Sequence, residues 1–164
     1  MNREIEIHVD LDGQSHLVGR LWSRLNKGRE GASFVYDPSW LASPLRFPLE
    51  PALSLDPGSH HTRQGHSLFG ALGDSAPDRW GRMLMKRMER RTAEREGRPS
   101  RALLEIDYLL MVDDAIRPGA LRLRKPEEGS FWPLEARRSL LWFIFRNCSP
   151  RRTAWWRRRN LTRT

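Results

Sequence analysis

Apolar residues alternate with polar ones at Ile5, Ile7, Val9 and Leu11, give way to the turn-forming run DLDGQ, and return in SHLVGRLW with Leu17, Gly19 and Leu21 on one side. A period of two marks strands with one buried face, so the chain opens as strand, turn, strand. ASFVYDPSWL predicts a third strand ending at Pro38, followed by a single helical turn around Trp40 and Leu41. LRFPLEPALSL has three prolines in or beside it, which restricts it to an edge strand or an extended connector. DPGSHHTRQGH, residues 56–66, has the composition of a loop.

Beyond that loop the period lengthens to that of a helix. Ser75 and Asp78 have capping-box spacing and Pro77 falls where a first turn tolerates it, so a helix is expected from there to about Glu96. Its apolar face is predicted at Trp80, Met83, Leu84 and Met88, with Arg82, Lys86, Arg87, Arg90 and Arg91 mostly opposite. EGRPS ends it. A second helix is expected from Ser100 through SRALLEIDYLLMV, whose apolar residues cover more than one face and predict burial on two sides. DDAIRPGALRLR then turns into a strand with Leu121 and Leu123 inward and Arg122 and Arg124 outward. The predicted class is α+β: a small antiparallel sheet or partial barrel of about five strands with two to three helices, plus an irregular or disordered tail.

Charge changes this picture at one end only. The chain has 164 residues and a formal charge of +9, but residues 137–164 hold nine Arg, no Lys and no acid, while residues 1–136 hold twenty basic and twenty acidic residues. The excess therefore belongs to the tail. The start MNREIEIHVD carries charges where a signal peptide would be apolar, and the longest apolar run, Leu140 to Phe145, is far too short to span a bilayer. A cytoplasmic protein without membrane contact is expected. The single Cys148 excludes a disulfide framework within these residues.

Few residues suggest chemistry. His60, His61 and His66 could be metal ligands, but they lack helical spacing and a neighbouring carboxylate, so no metal is expected. In GHSLFG, Gly65, Ser67 and Gly70 are one residue too long for a nucleophile elbow and read as a loop entering a short helix. No phosphate-binding glycine motif occurs, and the lysines are only Lys27, Lys86 and Lys125. Asp74 and Asp78 form a carboxylate pair that helix capping explains without catalysis. Arg82, Lys86 and Arg90 in one row could grip phosphate, although solvated helix faces are commonly charged. No catalytic, cofactor-binding or metal-binding residue is assigned, and no cofactor is expected.

FVYDPSWLAS, LFGALGDSAPDRWGRMLMKR and DYLLMVDDAIRPGALRLR, in that order, resemble successive blocks of the amino-terminal subdomain of HipA-like proteins, the serine/threonine kinase toxins of type II toxin–antitoxin systems. The resemblance spans residues 3 to about 125, and the Tyr36–Trp40, Ser75–Arg82 and Gly119–Leu121 stretches carry most of it. It implies a 1–125 subdomain of the kind that packs beside a helical kinase domain, followed by a 126–164 linker and tail. The family's phosphate-binding loop, catalytic Asp and metal-binding Asp and Asn have no counterparts here, so this chain is expected not to phosphorylate anything.

Residues 137–164 show neither helical period nor strand alternation. Trp has one codon, and reading Trp155 to Arg159 from one nucleotide earlier can give Val-Val-Glu-Glu-Glu, in keeping with the acidic helix that relatives of this family would carry there. The hypothesis is a frameshift near residues 133–139, and early stop codons in the shifted frame would refute it. The competing expectation is an Arg and Trp arm that binds nucleic acid. Three functional expectations follow. The first is a truncated HipA-like protein that binds a partner such as a HipB-like helix-turn-helix antitoxin. The second is a stand-alone companion that docks on a separate HipA-like kinase subunit. The third is a nucleic-acid-binding protein acting through the tail.

Overall fold

The structure is a computed structural model, and it describes residues 2–114 and 117–126. Residues 137–164, on which the frameshift and nucleic-acid expectations fall, lie outside the described residues. Three long strands come first: β1 (Asn2–Leu11), β2 (Gln14–Asn26) and β3 (Arg29–Tyr36). Asp12 and Gly13 join the first pair and Lys27 and Gly28 the second, all with positive φ. Two consecutive residues in that region make the tight turn whose twist suits a hairpin. Lys27–Gly28 carries the same signal as Asp12–Gly13, so β3 starts three residues earlier than the hydrophobic pattern of ASFVY suggests.

A helical turn, α1 (Pro38–Ala42), follows as expected, capped by Asp37, whose Oδ1 accepts from the Ser39 N–H at 2.9 Å. LRFPLEPALSL is a connector with no strand. The expected loop 56–66 contains a short strand, β4 (Ser59–His61), which pairs antiparallel with β3. β5 (Leu121–Arg124) pairs antiparallel with β1. The sheet order is β4-β3-β2-β1-β5, an open antiparallel sheet that does not close into a barrel.

Among the described residues four helices complete the α+β fold, two of them single turns: α1 and α2 (Gly70–Gly73). The longer two are α3 (Arg79–Arg95) and α4 (Glu105–Met111). Both start later than their sequence patterns suggest. Asp78 itself caps α3, accepting from the Gly81 N–H at 2.7 Å, and Pro77 sits before the helix. Ser75 takes no part in that cap, because it is buried behind α2 with its hydroxyl toward the Ala71 carbonyl. α4 begins at Glu105, not Ser100, since the Asp107 carboxylate turns back to the Leu104 N–H at 2.8 Å and fixes the first turn there.

The main core lies between one sheet face, with Ile5, Ile7, Val9, Leu21, Phe34, Tyr36 and Leu123, and the helices that supply Trp40, Leu72, Ile106 and Leu109. A bulge perturbs β2: Gly19 faces Ile7 but Leu17 faces His8, so Val18 has no partner in β1. The slip turns Leu17 away from the face of Gly19 and Leu21 and places Val18 in the core instead, which corrects the simple alternation. α4 is covered twice. Ile106, Leu109 and Leu110 join the main core, while Tyr108 and Val112 pack with Met85 of α3 in a second cluster. Its two-sided apolar pattern is thus satisfied within the chain.

The face of α3 differs from its prediction. Met85 and Ala93 are its buried residues, whereas Trp80 is 60% and Met83 43% exposed. The helix is rotated because Arg82 is drawn inward: its Nη1 donates to Glu105 Oε1 at 2.6 Å, its Nε donates to the Pro77 carbonyl at 3.0 Å, and its guanidinium lies 4.9 Å from the centre of the Tyr108 ring. A charged residue that finds a carboxylate, a carbonyl and an aromatic face can occupy an inward position that hydropathy alone would deny it.

Candidate functional site

The buried charges are arranged to hold α4 in place. At its start, Glu30 of β3 accepts from the Glu105 and Ile106 N–H groups at 2.8 and 3.0 Å, which satisfies two donors that a helix start leaves free. Asp107, its side chain 1% exposed, accepts from Arg3 Nη1 at 2.6 Å and from Arg101 Nη1 at 3.0 Å. Burial alone would raise its carboxyl, but the Leu104 N–H and the Arg3 and Arg101 guanidiniums outweigh that and hold it below the usual carboxylate value.

At the end of α4, buried Arg117 donates through Nη2 to the Leu109 and Val112 carbonyls, each at 3.0 Å, and through Nη1 to the Ser75 carbonyl at 3.5 Å. It closes the helix end and ties it to the α2 side of the core. Burial pushes its guanidinium down to about 10, so it stays charged at neutral pH. Burial also raises the Asp114 carboxyl. Arg3, Glu30, Asp107 and Arg117 belong to no motif that the sequence offers for chemistry, and their roles are structural. Asp107 did leave a trace, as an acid flanked directly by Ile106 and Tyr108 inside the largely apolar run LLEIDYLLM.

The residues that the sequence singled out do not assemble into a reaction centre. His60 and His61 are neighbours on β4 and point to opposite sides of the sheet. His60 packs edge-on to Tyr36 with ring centres 5.8 Å apart and, contrary to the expectation of no neighbouring carboxylate, its Nε2 lies 3.6 Å from Asp56 Oδ1; His61 Nδ1 is 3.0 Å from Ser33 Oγ. His66 lies on the wall of a groove of about 740 Å³ that also includes Glu50, His61, Arg63 and Asp74. Glu50 is already engaged there, accepting from the Ala71 N–H at 2.7 Å. Among the described residues no three His, Cys, Asp or Glu side chains converge as metal ligands would. The loop through Ser67 does lead into a short helix, α2, which begins at Gly70. Asp78 caps α3, while Asp74 ends α2 and makes no matching cap. The row of Arg82, Lys86 and Arg90 is broken, since Arg82 turns inward and Arg90 approaches Glu94 at 3.9 Å.

What reaches solvent instead is the outer ridge of α3. Asp78, Arg79, Trp80, Arg82, Met83 and Lys86 border a hollow of about 700 Å³ along its first two turns. No helix of the described residues is long and apolar enough to cross a membrane.

The described residues thus form a small α+β domain: an open antiparallel sheet, a helical layer pinned by buried charges, and one helix that turns an apolar, basic ridge outward. A family model described as HipA N-terminal domain matches residues 9–107, more than half of the chain. The chain belongs to that family. A search of curated proteins and a search of solved structures each found no match.

Proposed function

We propose that this protein works by binding another protein and does not itself transfer phosphate. The match to the HipA N-terminal domain over residues 9–107 carries this reading. Exposed Trp80 and Met83 support it, because large apolar side chains on a helix surface are a recurring feature of protein contacts. Phosphoryl transfer needs groups that hold Mg²⁺ and stabilise charge. Among the described residues, buried Asp107 and Arg117 are instead committed to the ends of α4. The proposed partner is a HipA-like kinase subunit or a HipB-like helix-turn-helix antitoxin, in the setting of a toxin–antitoxin system in the cytoplasm.

The test is co-expression of the full 164-residue chain with a HipA-like kinase encoded beside it, or with the accompanying helix-turn-helix protein. Co-elution as a complex of defined stoichiometry is expected, with no ATP turnover by the chain alone. Turnover by the purified chain that a point substitution within it abolishes would overturn the reading.

A further inference from the structure

We propose that the outer ridge of α3 is a docking surface for an acidic amphipathic helix of a partner protein. The partner's apolar side chain would seat against Trp80 and Met83, and its carboxylates would meet Arg79 and Lys86. The inference rests on the protein-binding reading above and says where on the molecule that contact forms.

Trp80 and Met83 are three residues apart, so they stack on one side of α3 about a turn from each other. They are 60% and 43% exposed and flank the hollow of about 700 Å³. Arg79 and Lys86 border the same hollow, at either end of the apolar pair, and both are exposed. An aromatic residue and a methionine inside a cationic rim have the composition of an interface centre, where tryptophan and arginine carry most of the affinity. Arg82 lies beneath, held by Glu105 and the Pro77 carbonyl, and it fixes the rotation that presents Trp80 outward.

Charge selects the occupant. A second copy docking α3 against α3 would bring Arg79 and Lys86 toward their own counterparts, which opposes a symmetric dimer through this ridge. Residues 137–164 of the same chain hold nine Arg and no acid, so they repel the rim as well. Nucleic acid suits the site poorly, because Asp78 borders the hollow and its centre is apolar Trp80 and Met83, with Arg79 and Lys86 the exposed cations on its rim. A helix with an apolar stripe and flanking Glu or Asp satisfies both the centre and the rim.

Fluorescence anisotropy of a labelled helical peptide, with Leu and Phe on one face and Glu beside them, titrated with the full chain, tests this. Binding is expected to weaken at least about tenfold in Trp80→Ala, the loss typical of a central aromatic anchor. A similar loss is expected in Arg79→Glu/Lys86→Glu, accompanied by recovered binding to the peptide with Lys in place of Glu. Both variants change exposed positions, and unchanged circular-dichroism melts would show that they fold. Three outcomes overturn the proposal: no binding by the unaltered chain, binding that survives Trp80→Ala, or capture of a single-stranded oligonucleotide that is lost on the same substitutions. If Trp80→Ala still co-elutes with the kinase or antitoxin as the unaltered chain does, protein binding stands and this surface falls. If neither co-elutes, the wider reading falls.

Discussion

Asp107 shows how one side chain can decide where an element starts. Its carboxylate serves the Leu104 N–H, Arg3 and Arg101 together, while its side chain is almost wholly out of solvent. Removing a buried acceptor leaves its donors without a partner, and that penalty exceeds the net value of the bonds. Asp107→Ala is therefore expected to lower stability by about 2–4 kcal/mol. Arg101 is half-exposed, so Arg101→Ala is expected to cost less than about 1 kcal/mol, as solvent screens its contact. Urea midpoints for the two variants check the ranking, and equal losses would contradict it. The position was visible in the sequence as an acid among apolar neighbours, but nothing local revealed its partners. Arg3 is over a hundred residues away in the chain, and such a pairing exists only once β1 and α4 are brought together.

The long strands β1 to β3 were the most legible elements, since each hairpin combines alternation with a Gly-containing turn, whereas the three residues of β4 are too few to show alternation within a loop-like composition. The helices were less so, and the reasons are local. A charged side chain can face inward when it has partners, as Arg82 does, and an acid can cap at a site other than the nearest matching spacing, as Asp78 does. The outer ridge of α3 was illegible for the same cause, because a rotation of α3 by about one residue exchanges the buried and exposed sets. The bulge in β2 likewise has no signature beyond Gly19. There a Cβ would come within 2.3 Å of the Val35 carbonyl oxygen and 2.6 Å of the Phe34 ring. Gly19→Ala must push β3 away from β2, at an expected cost of about 1–3 kcal/mol. A lowered thermal midpoint, with early loss of amide protection in Phe34 and Val35, would verify it. Gly13→Ala meets no atom, yet its positive φ strains the turn, so it separates backbone strain from collision.

For the whole molecule, acid is the sensitive direction. Burial lowers the His8 imidazole below 6.5, and its contact with Glu6 only partly offsets this. As pH falls, the unfolded chain takes up that proton first, so the stabilisation present above about 6.5 is lost as pH drops through the folded value. Asp107, depressed below 3.8, adds a second loss at still lower pH by the same reasoning. Asp114 is raised by burial and acts in the opposite sense, gaining stability as pH falls through its folded value, so it opposes the decline. Thermal midpoints recorded between about pH 8 and about pH 2 are expected to fall in two stages. His8→Gln is expected to flatten the upper stage and Asp107→Asn the lower.

The sheet narrows toward its rims: thirteen residues in β2, but three in β4 and four in β5. Short outer strands give a neighbouring chain little backbone to copy, and β5 carries Arg122 and Arg124 as well. Stacking of one molecule on the next through hydrogen-bonded ribbons is thereby discouraged. On the proposed protein-binding reading, recognition falls to side chains on the helical flank, where a few substitutions would retune the choice of companion without disturbing the architecture beneath.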